Sequence, residues 1–486
     1  MEEKKSILSN YPDYRVDIGI EVHVQLNTQS KIFCSCSNAQ TDKANDTICP
    51  VCSGYPGVLP VLNKEVVSSA IKAGIATHCN ISPKSTFARK HYFYPDLPKN
   101  YQITQDKVPV CTEGYVAITK EDGTEKNVRL IRIHIEEDAG KNIHAAGSDE
   151  SFVDLNRTGT PLLEIVTYPD IESTYEAITY LKTLHAIVVY SGISTGNMDE
   201  GSFRADTNIS VRKKNDPNLG TRCELKNINS FKFIGDAVEY EIERQIELLE
   251  SGGPVIQQTR LWDTKEKISR PMRSKEEAAD YRYFEEADLP IIHITEDQIL
   301  AIKKTMPELP DAKIKRLCTD YNLSRYEAGI LIDDRELANY YEKAAHINKS
   351  KNLINWVLRD LMTLLKETKE SPLTCKVTPE KLASLMSLID NGTLNARGAQ
   401  EIFKHVAQNA TDPVLLVKEL GLEQISDTGE LEKIIKEIVD ASPDNVALYK
   451  SGKDKVFGFF VGQAMQKTKG KADPKIINDL LKKYLS

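Results

Sequence analysis

Residues 16–26 read VDIGIEVHVQL, and their alternation constrains the fold more than any other stretch of the chain. Val16, Ile18, Ile20, Val22, Val24 and Leu26 fall on one side of an extended strand, with Asp17, Gly19, Glu21, His23 and Gln25 on the other. The wet face of an ordinary half-buried strand carries Lys, Thr and Ser. This one carries a carboxylate, an imidazole and an amide, groups suited to holding a metal or moving a proton. The polar face of the sheet is therefore a candidate active-site wall.

Three further stretches repeat the pattern. In 130–136, Ile131, Ile133 and Ile135 alternate with Arg132, His134 and Glu136, and Glu137 and Asp138 follow. In 203–212, Arg204, Asp206, Asn208 and Ser210 oppose Ala205, Thr207, Ile209 and Val211. Residues 221–226 bring Arg222, Glu224 and Lys226 to one side. Oxygen ligands gathered this way suit Mg2+, and the accompanying Arg and Lys suit phosphate. A solvated face of paired surface charges would explain any one strand, but explains four together less well.

Around these strands the first 300 residues or so mix strand-like runs with Gly, Pro and Asn punctuation. The pattern predicts helices over 64–78, 173–191 and 231–250, with Ser173 or Thr174 as an N-cap and Ser251-Gly252-Gly253-Pro254 as a stop. Beyond Pro290 helical periodicity takes over. At 486 residues, two or three domains are expected. The expectation is an α+β chain: a largely antiparallel-sheet cradle domain over 1–295, a helical linker domain over 296–345 and an all-α tail domain over 346–486. No run of about 18 apolar residues appears, so no membrane span is expected. The first residues, MEEKKSILSNYPDY, have neither a signal-peptide core nor transit-peptide character, which points to the cytoplasm.

Four of the nine cysteines lie close together, as Cys34-Ser-Cys36 and Cys49-Pro-Val-Cys52. Two close pairs on tight turns bring four thiolates to the corners of a tetrahedron, and structural zinc is the expected occupant. The loop from Arg89 to Gln102 mixes basic and aromatic residues, as do residues 272–284, a combination that contacts phosphates and stacks on bases. There is no G-x-x-x-x-G-K-[ST] and no G-x-S-x-G, so neither a P-loop nor a serine elbow is present. The net charge of −8 excludes whole-surface binding of nucleic acid but permits local patches. One such patch is 444–486, with nine lysines against four aspartates, including Lys467, Lys469 and Lys471 between two helical runs.

Together these stretches resemble the GatB family, the B component of the aspartyl/glutamyl-tRNA(Asn/Gln) amidotransferases. The resemblance runs through GIEVHVQL at 19–26, CPVCSGYPGVLPVLN at 49–63, RKHYFYPDLPKNYQI at 89–103 and RIHIEEDAGK at 132–141. It continues through NRTGTPLLEIV at 156–166, NMDEGSFRADTNISVR at 197–212, RCELKNINSFKFI at 222–234 and VFGFFVGQAMQKTKGKADP at 456–474. It implies an ATP-dependent reaction on a mischarged tRNA: the side-chain carboxylate of tRNA-bound Glu or Asp is phosphorylated, then amidated with ammonia. The ammonia would come from an amidase-like A component, with a small C component completing a heterotrimer. Carried over by position, Glu21, His23, Glu136, Asp206 and Glu224 match the family's Mg2+ and catalytic site, and Cys34, Cys36, Cys49 and Cys52 match a Zn2+ set found in many members. Lys90, Lys99 and Arg204 are candidate phosphate or substrate contacts, and the tail would hold the tRNA away from its acceptor end. The chain departs from the family in reading RADTN at 204–208 for RCDAN, and FEEADL at 284–289 for FPEPDL. A non-catalytic tRNA-binding scaffold and a stand-alone metal-dependent phosphotransferase remain as other readings of the same residues.

Overall fold

The computed structural model describes residues 6–144, 150–226, 228–272, 281–424, 428–468 and 472–485. Most of the basic and aromatic stretch 272–284, and Lys469 and Lys471 of the basic loop, lie outside these residues. The chain is α+β and divides into two compact units, 1–312 and 313–486.

The first unit is built on a ten-stranded sheet. Its central strands are β1 (Tyr14–Gln25), β2 (Glu125–Glu137), β3 (Pro161–Thr167), β4 (Phe203–Lys213) and β5 (Cys223–Lys226). Their spatial order is β5-β4-β1-β3-β2, all antiparallel. Gln258–Asp263 adds to β5 in parallel and Ile268–Pro271 follows it; Cys111–Thr112 and Asn80–Ile81 extend the β2 side, where Tyr115–Thr119 also pairs.

The apolar residues of β1 from Val16 to Val24 are almost fully buried, as the alternation requires. They join one core with three helices, α1 (Lys64–Ala76), α2 (Thr174–Tyr190) and α3 (Phe231–Glu250). Ser173 and Ser230 cap α2 and α3 by accepting from Glu176 N and Phe233 N, satisfying donors that a helix start leaves open. Along α3, Ile234, Val238, Ile242 and Ile246 recur at helical spacing and pack into this core. On the opposite face of β1, Glu21, His23 and Gln25 are half-buried.

One strand departs from the expected alternation. Ile131 is 38% exposed, while Val128, Leu130, Ile133 and Ile135 are buried. The register against β3 jumps from Val166↔Arg132 to Thr167↔Leu130, so Ile131 is the extra residue of a β-bulge. The bulge returns Leu130 to the core and leaves Arg132, His134 and Glu136 on the polar face.

Every described strand lies before residue 294. The second unit is helical, and its C-terminal helices Thr428–Asp440, Phe457–Lys467 and Pro474–Leu485 share a core of Leu431, Ile435, Phe460, Ala464, Ile477 and Leu481. Asp473 Oδ1 accepts from Lys475 N at 2.7 Å and so starts the last helix. Among the described residues no helix is long and apolar enough to cross a membrane.

Candidate functional site

Antiparallel register fixes which side chains meet, because directly opposed residues share a face. His23 of β1 lies opposite Glu164 of β3 and Arg204 of β4, and Glu164 lies opposite His134 of β2. One row across four strands therefore reads His134, Glu164, His23, Arg204. The neighbouring rows place Glu21 opposite Asp206, and Glu136 and Gln25 on either side of Leu162.

His134, Glu164 and His23 of the first row close with Glu136 of a neighbouring row into a ring of alternating imidazoles and carboxylates. His23 Nε2 lies 3.4 Å from Glu164 Oε2 and 3.7 Å from Glu136 Oε1. His134 Nε2 lies 3.3 Å from Glu164 Oε2 and 3.7 Å from Glu136 Oε2. Ligand atoms of His23, Glu136 and Glu164 all fall within 4.8 Å of one another, as a metal site requires.

Electrostatics show how the carboxylates of this ring are balanced. Burial works against a charged His134, but Glu164 and Glu136 outweigh it and lift the imidazole to about 9. His23 is raised in the same way, against burial, by Glu164 and Glu136. Burial opposes ionisation of Glu164, yet His134 and His23 hold its carboxyl well below the usual range. The two imidazoles thus balance the two carboxylates, and one ring nitrogen with two carboxylate oxygens is a donor set that fits a divalent cation.

Glu21 borders the ring. Its carboxyl is raised by burial first, then by Glu164, Glu224 and Asp206, with Lys226 opposing. Asn208 Nδ2 donates to its Oε1 at 3.1 Å. Asp206 and Glu224 form a second group, bridged by Lys226 at 2.8 and 3.1 Å, and Thr259 Oγ1 donates to Glu224. The five carried-over residues thus fall into two groups, His23 with Glu136 and Asp206 with Glu224, with Glu21 between them.

Several participants escaped the sequence reading. Glu164 is the chief one: its strand, PLLEIV, is apolar around a single carboxylate, and that lone Glu was the available signal. Asp138 is another. Its buried Oδ2 accepts from Gln25 Nε2 at 3.0 Å and Arg204 Nη2 at 2.9 Å, with Arg157 Nε at 3.5 Å, so Asp138 sets the position of Arg204.

The two candidate lysines differ in surroundings. Lys90 lies 4.8 Å from the Tyr281 ring centroid, and Glu136 and Glu164 keep its ammonium charged against the pull of burial. Lys99 is paired with Glu137, whose Oε1 also accepts from Ile103 N at 2.9 Å. Lys99 and Glu137 line a small cavity with Phe33, Cys34, Cys52 and Gly159.

The sulfurs of Cys34, Cys36, Cys49 and Cys52 lie within 4.8 Å of one another. Cys49 N donates to Cys52 Sγ at 3.1 Å, and the buried Lys31 ammonium reaches Thr47 O at 2.8 Å and Cys52 Sγ at 3.7 Å. Hydrogen bonding from Cys34, aided by Cys49 N–H and Lys31 and opposed by burial, lowers the Cys52 thiol to about 4. Four thiols with a buried counter-cation fit zinc. Gly54 turns the chain just after them at φ +69°, where a Cβ would stand 2.9 Å from Lys99 Cγ.

Comparison with known proteins bears on the whole chain. Residues 16–300 match the family model described as the GatB/GatE catalytic domain, and residues 339–485 match the GatB domain. The chain is 52% identical over 477 residues to the B component of the aspartyl/glutamyl-tRNA(Asn/Gln) amidotransferase of Geotalea daltonii, covering 97% of this chain and 99% of that protein. It is 51% identical to the protein of the same name from Syntrophotalea carbinolica and 49% identical to that of Myxococcus xanthus, with the same coverage. The chain belongs to the GatB family, the B component of the aspartyl/glutamyl-tRNA(Asn/Gln) amidotransferases.

Proposed function

We propose that this chain carries out the tRNA-dependent transamidation for which its relatives are named, converting Glu-tRNA(Gln), Asp-tRNA(Asn) or both to the amide form. In the first step an oxygen of the aminoacyl side-chain carboxylate attacks the γ-phosphorus of ATP, and ADP leaves. In the second, ammonia attacks the acyl carbon, a proton is lost and phosphate departs, leaving the carboxamide. Ammonia comes from a partner glutaminase in a heterotrimer that a third, small protein completes.

The observation that carries this reading is the convergence of His23, Glu136 and Glu164 on the polar sheet face beside Glu21 and Arg204. An Mg2+ held there would offset the charge of the phosphates and acceptor carboxylate, which otherwise repel each other. Glu21, Asp206 and Glu224 shape the adjoining group, and Lys226 tempers their charge. Arg204, steadied by Asp138, and Lys90 would meet phosphate oxygens as they develop charge. Lys99 acts by holding Glu137. The zinc cluster shapes the loop from which Lys99 reaches Glu137. The chain is read as a cradle over 1–295, a helical linker over 296–345 and a tail over 346–486, whose basic C-terminal part binds the body of the tRNA.

Glu136→Gln tests the proposal. The expected result is loss of tRNA-dependent ATP hydrolysis by more than about 100-fold, since the change reaches a ligand and not merely its support. ATP hydrolysis and amide formation at wild-type rates, in a folded and assembled variant, would overturn it.

A further inference from the structure

With His23, Glu136 and Glu164 read as cation donors, one buried imidazole on the same face remains without a task. His134 is 3% exposed, and its Nε2 contacts both carboxylates. Its Nδ1 is buried with no hydrogen-bond partner among the described residues. It is not among the three groups whose ligand atoms lie within 4.8 Å of one another. We propose that His134 is a positioning residue, which through Nε2 alone holds the Glu136 and Glu164 carboxylates in the orientation that receives a divalent cation together with His23. The inference rests on the reading of this cluster as a cation site.

The register explains why such a residue is needed. Glu136 lies opposite Leu162, and Glu164 lies opposite His134, so the two carboxylates sit diagonally on adjacent strands with no ladder pair between them. Two carboxylates this close repel each other, and without a donor between them they would turn away or take up a proton. The Glu136 carboxylate is shared: Oε1 faces His23, while Oε2 faces His134 and accepts from Thr104 Oγ1 at 3.4 Å. Glu164 Oε2 lies between the two imidazoles. Once His23 Nε2 and an oxygen of each carboxylate are given to a cation, His23 no longer restrains the carboxylates. His134 Nε2, 3.3 Å from Glu164 Oε2 and 3.7 Å from Glu136 Oε2, still reaches both. Groups that orient metal-binding carboxylates from behind support affinity without touching the ion.

The empty Nδ1 makes the idea specific. In Gln the amide nitrogen falls where His Nε2 lies, whereas in Asn it falls near Nδ1. If Nε2 does the holding, His134→Gln keeps the function and His134→Asn loses it.

The test uses the full-length chain, with Mn2+ in place of Mg2+ as the probe. Mn2+ binding is measured by titration, and coordinated nitrogen by pulsed EPR. His134→Asn is expected to weaken Mn2+ binding by about 10- to 100-fold, while His134→Gln stays close to wild type. Bound Mn2+ should show one imidazole nitrogen, from His23, in wild type and in His134→Gln alike. Zinc content and the thermal melt report whether each variant is folded.

Equal Mn2+ affinity in wild type and His134→Asn overturns the proposal, as does a reversed order of the two variants. A second imidazole nitrogen in the wild-type signal also overturns it, because His134 would then be a ligand. Should His134→Asn not fold, weakening of His134→Gln by about tenfold or more overturns the proposal equally. Failure of wild type to bind Mn2+ at all would instead remove the cation-site reading, a separate outcome.

Discussion

Glu164 carries more of the candidate site than its surroundings announce. It contacts both imidazoles, and its carboxyl is held ionised despite burial. Glu164→Gln keeps the shape and removes the charge, so Mn2+ affinity and tRNA-dependent ATP hydrolysis should each fall by more than about 100-fold, as titration and phosphate release would report. The same ring gives the metal-free chain a pH dependence. The raised pKa of His134 stabilises the fold fully below its ordinary value near 6.5, and that contribution disappears as pH rises through about 9. Glu164 acts oppositely: its contribution is present above the ordinary value of 4.5 and is lost as pH falls through its lowered pKa. Urea unfolding of chelator-treated protein should therefore show stability falling between about pH 6.5 and 9, with a flatter profile in His134→Gln. The four-cysteine cluster, read as a zinc site, gives a third residue-level expectation. Metal analysis should return about one zinc per chain, and stripping it should lower the melting temperature by several degrees.

At the scale of elements, α3 couples to the sheet through a buried charge. Glu241 is fully buried and pairs with Arg244, while Arg260 of the neighbouring strand Gln258–Asp263 lies 3.5 Å away and is itself buried. Arg244 and Gln245 hold the Glu241 carboxyl below its ordinary value against the effect of burial. Glu241→Ala would leave the Arg260 guanidinium uncompensated, costing about 3–5 kcal/mol in urea unfolding. The end of α3 was legible because Gly252, at φ +77°, stops it. The β1 alternation was legible because one face is wholly apolar. Strand β3 was not, because Leu162 and Val166 share the face of Glu164, so no polar side announces itself. Alternation also misjudged Ile131, since a bulge changes the phase of a strand without changing its composition. The two-residue strands Asn80–Ile81 and Cys111–Thr112 are too short for any period to be read. Of the site, His23 and Glu136 could be proposed from their own strands, but Glu164 and Asp138 needed cross-strand register.

For the molecule as a whole, the first unit spends one face of its sheet on stability and the other on chemistry. α1, α2 and α3 supply the core, so substitutions among Glu21, His23, Asp206 and Glu224 can alter function without opening it. The arrangement is much less tolerant of changes in length. β1 is matched residue by residue to β4 from Tyr14↔Lys213 to Val24↔Phe203, and to β3 on its other side. Deleting a single residue there would turn Glu21 and His23 toward the helices and Ile20 and Val22 toward water. In a library sampling both kinds of change, point variants of this strand should accumulate as folded protein of graded activity, while single-codon deletions should vanish from the soluble fraction. What descent must preserve in this strand is first its count of residues, and only then their identity.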